Sequence, residues 1–117
     1  MQPFDIGMEW TGDTVHLHVR GELDIAVADR LVERIEAVRD SSARVALVDM
    51  HEVTFMDSSG LRALLSAHQL AAQDGREFDV VVIRAPAPVR DVIGLTGAAQ
   101  LLHLADDAET ALRQPAA

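Results

Sequence analysis

The chain has 117 residues, enough for one compact domain that buries about two-thirds of its unfolded surface. Apolar residues make up 49%, too many for a disordered chain, and without cysteine there is neither a disulfide framework nor thiolate chemistry. A formal net charge of −9 argues against nucleic acid, whose phosphates need a basic surface, and no apolar run approaches the roughly 20 residues of a membrane span.

Asp5 lies near the start and no basic residue precedes Arg20, so the N-terminus does not read as a signal peptide. The chain is expected in the cytoplasm, with neither nucleic acid nor membrane as a partner. Phe4, Ile6, Met8 and Trp10 alternate with Asp5, Gly7 and Glu9, which predicts a half-buried strand over 3–10. After a turn at Thr11-Gly12-Asp13, Val15, Leu17 and Val19 alternate with His16, His18 and Arg20, giving a second strand and a hairpin. His16 and His18 share a face and could hold a metal as a pair. No third ligand is evident in the sequence, so the solvent-face reading is preferred and no metal or cofactor is expected.

Gly21-Glu22-Leu23-Asp24 leads from that strand to a helix, with Asp24 placed to cap it. Val27, Leu31, Ile35 and Val38 recur at helical spacing to about Arg39, with Arg30, Glu33 and Arg34 facing outward. Residues 44–50 read as a strand that is apolar on both faces, as in mid-sheet. A loop over His51–Gly60 then leads into a helix over 59–73, with Leu61, Leu64, Leu65, His68 and Ala72 on its inner side. Asp74-Gly75 stops that helix. Residues 78–83 form a second two-sided strand, Pro86 and Pro88 start a short helix, and Gly94 and Gly97 end it. A short strand over 101–104 and a helix over 106–113 follow, and residues 114–117 are expected to fray. The order implies an α/β fold with a mixed, mostly parallel sheet of about five strands and about four helices, the first strand antiparallel.

Phe55-Met56-Asp57-Ser58-Ser59-Gly60 is the stretch with chemical content. Asp57 suits an N-cap, and both serines fall in a first helical turn, where backbone N–H groups lack helical partners and the dipole favours phosphate. Plain capping is one reading. A nucleophile elbow is another, but it needs glycine two residues before the serine, where Met56 stands. A hydrolase would also need a base for Ser58; a neighbouring carboxylate could orient His51, the nearest histidine, but the sequence gives no support for that third-group geometry. No catalytic residue is therefore expected, and the chain reads as a substrate of enzymes. Asp24 and Asp57 are expected to flank Ser58, either as ordinary caps or as carboxylates that shape the field around the hydroxyl.

The third reading is a phosphorylation switch. Gly21-Glu22-Leu23-Asp24, then Val48-Asp49-Met50 leading to Val53-Thr54-Phe55-Met56-Asp57-Ser58-Ser59-Gly60-Leu61, and Leu95-Thr96-Gly97 together resemble the STAS family, especially its bacterial anti-sigma factor antagonists. The resemblance spans nearly the whole chain, as a single domain over 1–117. It implies that Ser58 is phosphorylated by an anti-sigma factor serine kinase with a histidine-kinase-like ATPase fold, and that a serine phosphatase reverses this. It implies that the unmodified form binds the kinase and frees a sigma factor, through a partner-binding and switch loop of Glu22, Asp24, Phe55, Met56, Asp57, Ser59, Gly60 and Leu61. The family also includes accessory subunits of lipid transporters and of larger signalling assemblies, in which the serine is unused.

Overall fold

The computed structural model describes residues 3–75 and 77–113. The expected fraying over 114–117 lies outside the described residues. Five strands form one sheet in chain order: β1 (Asp5–Thr11), β2 (Thr14–Leu23), β3 (Val45–Met56), β4 (Asp79–Ile83) and β5 (His103–Ala105). β1 pairs with β2 antiparallel, and the remaining pairs are parallel. Both strands read as two-sided, β3 and β4, are interior.

The helices are α1 (Ala28–Arg39), α2 (Ser58–Ala71), α3 (Ala87–Thr96) and α4 (Ala108–Arg113). Because strand side chains alternate between faces, the sheet divides its residues into two layers. Val15, Leu17, Val19, Ala46, Val48, Met50, Val80 and Val82 join the inner faces of α1, α2 and α3 in the main core. Leu47, Val81 and Ile83 face the other way and pack with Ala111 of α4. The two-sided apolarity of β4 follows from burial on both sides.

Several boundaries differ from expectation, each for a local reason. β3 does not end at Met50 but continues to Met56, so most of the expected loop over His51–Gly60 is strand. β4 leaves β3 at the Asp49–Ile83 pairing, and beyond it β3 pairs with β2 alone, through Arg20–Glu52, Gly21–Val53, Glu22–Phe55 and Leu23–Met56. In this extension β3 buries Val53 and Met56 between exposed neighbours, so no apolar run reveals it. Gly21, at φ 92°, lies at a register shift in this ribbon, a bulge geometry that side-chain-bearing residues rarely adopt.

Asp24 does not cap α1, which begins four residues later at Ala28 with Val27 as its uncapped N-cap. Its carboxylate accepts from Ala26 N–H at 3.0 Å, and its carbonyl accepts from Val27 and Ala28 N–H. It closes a turn between strand and helix. Gly94 lies inside α3, and Gly97, at φ 71°, ends it. A turn of 3-10 helix over Ala98–Leu101 displaces the last strand to His103–Ala105.

Candidate functional site

The tip of the β2–β3 ribbon carries the start of α2. Asp57 is extended (φ −108°, ψ −169°), and its Oδ1 accepts from Ser59 N–H at 2.9 Å and Gly60 N–H at 3.3 Å. Two of the N–H groups that the first turn leaves unpaired are thus satisfied by one carboxylate. Asp57 N–H points to the Leu23 carbonyl at 3.5 Å, which ties this corner to the end of β2, and Asp24 is the next residue beyond that carbonyl.

Gly60 explains how the helix starts so close to the sheet. A β-carbon there would lie 2.5 Å from Met56 Cγ, 2.7 Å from the Leu23 carbonyl oxygen and 2.9 Å from Leu23 Cγ. The backbone oxygen has no room to yield, so the close approach requires glycine.

The switch residues named from sequence separate by exposure. Ser58 is exposed, as are Glu22 and Phe55, the latter 47% accessible, while Asp24, Asp57 and Ser59 are half-buried. Met56, Gly60 and Leu61 are buried and form the scaffold of the loop. Sequence reasoning missed Ile25, an isoleucine 80% exposed directly after Asp24. Nothing in the alternation pattern marks it, because it lies in the turn between β2 and α1.

On the other face of the sheet, parallel pairing sets His18 of β2 opposite Asp49 of β3. The sequence showed no third candidate ligand beside His16 and His18, but the register brings the Asp49 carboxylate next to them. Asp49 is the single buried charged residue among those described, 2% exposed. Burial pushes its carboxyl up, but the hydrogen bond from His16 (2.9 Å), the His51 backbone N–H (3.0 Å) and the Arg84 guanidinium outweigh that and hold it below the usual carboxylate range.

The mixed five-stranded sheet with its four helices agrees with comparisons to known proteins. The STAS domain family model matches residues 5–111. The chain belongs to the STAS domain family. An anti-sigma F factor antagonist of Paenibacillus polymyxa is 26% identical over 110 residues, covering 93% of this chain and 92% of the relative. The crystal structure of an anti-sigma factor antagonist from Mycobacterium paratuberculosis superposes with a TM-score of 0.80 at 28% identity, covering 95% of this STAS domain and 92% of that chain. The Bacillus cell fate determinant SpoIIAA, solved in its phosphorylated form, shares the fold at a TM-score of 0.65 and 23% identity, covering 93% and 98% of the two chains. Among the described residues no helix is long and apolar enough to cross a membrane.

Proposed function

We propose that this STAS domain is a cytoplasmic anti-sigma factor antagonist, a binding module and not an enzyme, with Ser58 as its switch. The unmodified surface around Ser58 binds an anti-sigma factor kinase and so frees a sigma factor; phosphorylation of Ser58 ends the interaction, and a phosphatase restores it. End-to-end similarity to proteins named as such antagonists supports the role. The observation that carries the switch is the exposure of Ser58 at the start of α2, beside a carboxylate that already occupies the nearby N–H groups.

The sign follows from that arrangement. A phosphate on Ser58 adds about −1.5 to −2 charge. The positive end of the helix dipole tolerates it, so the fold survives. Asp57 takes the N–H groups of Ser59 and Gly60, so the phosphate does not fold back onto them and instead projects from the rim. There it joins Glu22, Asp24 and Asp57 and breaks up a contact area that includes the exposed apolar side chains Ile25 and Phe55.

Titration of a histidine-kinase-like ATPase partner with the wild-type chain, Ser58→Ala and Ser58→Asp tests this. Wild type and Ser58→Ala should bind alike and Ser58→Asp more weakly. Equal binding of all three would remove Ser58 from the interface. Capture of a transporter ATPase, with no kinase, would favour the accessory-subunit role instead.

A further inference from the structure

The face of the sheet away from α1 and α2 holds a cluster that the switch does not use. We propose that His16, His18 and Asp49 form a binding site for a divalent transition-metal ion. One ligand atom from each lies within 4.8 Å of the others. His16 Nε2 is 2.9 Å and His18 Nδ1 3.8 Å from the same oxygen, Asp49 Oδ2. Ligands about 2.0–2.2 Å from a tetrahedral zinc stand roughly 3.4 Å apart, so the two distances bracket the required spacing.

Two features make this more than proximity. Glu9 Oε1 lies 2.7 Å from His18 Nε2. Accepting that N–H leaves the lone pair on Nδ1, the atom turned to Asp49, and a carboxylate behind a histidine is the usual outer partner of a metal-bound imidazole. The two rings are stacked, with centroids 4.0 Å apart and planes 8° apart, so their in-plane lone pairs run side by side and one ring must rotate to bring both nitrogens onto one ion. The second feature is a cleft of about 10 Å³ beside His18 and Asp49, lined also by Val19, His51, Glu52 and Arg84, space on the scale of one water as a fourth ligand.

The donor set selects the ion. Two imidazoles and one carboxylate suit Zn²⁺, Co²⁺, Ni²⁺ or Cu²⁺, whereas Mg²⁺ and Ca²⁺ prefer all-oxygen shells. Arg84 is the competitor. Its Nε is 3.2 Å from Asp49 Oδ2, where it supplies the positive charge that an ion would bring. Its side chain is 46% exposed and can swing to solvent as the metal enters. Metal binding here exchanges one cation for another, and the His16 Nε2–Asp49 hydrogen bond gives way so that Nε2 can ligate.

The test is calorimetric titration of the full chain with ZnCl₂, with thermal unfolding of each variant measured without metal to confirm folding. The expected result is one Zn²⁺ per chain, with MgCl₂ giving no heat. His16→Ala and His18→Ala should each weaken binding by at least tenfold, and Glu9→Gln by roughly 10-fold, as outer-partner losses do. Arg84→Ala should tighten binding. NMR of labelled histidines should shift His16 Nε2 and His18 Nδ1 on addition of Zn²⁺. Absence of stoichiometric binding, or affinity unchanged in folded His16→Ala and His18→Ala, overturns the site. If the histidine variants do not fold, Arg84→Ala decides: unchanged or weaker binding overturns the proposal.

Discussion

The face of the sheet under α1, α2 and α3 is apolar along every strand that lines it, whereas the face under α4 turns polar at His16, His18 and Asp49. The difference is one of cover. Three helices of ten to fourteen residues close the first face, and α4, with six residues, reaches only β4, β5 and the start of β3. A closed face depends on volume, and an open one depends on how its charges are paired. The two faces should therefore fail under different substitutions.

The largest effect is expected on the closed face. Gly60→Ala places a methyl group against the Leu23 carbonyl, and overpacking against backbone should cost roughly 2–3 kcal/mol. Intrinsic preference predicts the opposite sign, since alanine is favoured over glycine in a helix by up to about 1 kcal/mol. Urea unfolding decides between them, and a stabilised variant would show that α2 can move off β2. On the open face, Asp49→Asn keeps the volume and removes the charge. It should cost about 1–3 kcal/mol in metal-free protein, as charge-assisted hydrogen bonds from His16, His51 and Arg84 become neutral ones. A loss near zero would mean the cluster is paired without net gain.

The two aspartates at the switch give smaller effects and sharpen the contrast. Asp57→Ala removes a true cap and should cost about 1 kcal/mol, recovered in Asp57→Asn, which can still accept from Ser59 and Gly60. Asp24→Asn retains an oxygen for Ala26 N–H, so stability should stay within about 0.5 kcal/mol. Kinase binding or phosphorylation should nevertheless fall, because the lost charge lies at the proposed interface. A large stability loss with normal phosphorylation would make Asp24 a purely structural residue.

How much could be read from sequence follows the range of the signal. Asp57 as cap, α2 after it and the two interior strands rest on neighbours within a turn or on short apolar runs, and all are found in the structure. Asp24 presents the same residue type after a neighbouring strand, yet it closes a turn, because the three residues after it do not enter the helix. The ribbon over 51–56 carries no strand signal in the sequence because pairing to one partner leaves His51, Glu52, Thr54 and Phe55 exposed. Asp49 went unassigned as a ligand because it stands 33 residues from His16, and only parallel register brings the two together. Ile25 had no signal at all, being exposed in a turn.

The central claim is that Ser58, and not Ser59, carries the phosphate. Successive helical residues point about 100° apart, so one serine faces a partner better than the other. Ser58 is exposed and Ser59 half-buried, its N–H held by Asp57. Incubation of wild type, Ser58→Ala and Ser59→Ala with the kinase and ATP, followed by peptide mapping by mass spectrometry, tests this directly. The account predicts one phosphate on Ser58 in wild type and in Ser59→Ala, and none in Ser58→Ala. Phosphate on Ser59 in the Ser58→Ala protein, with none in Ser59→Ala, would contradict it.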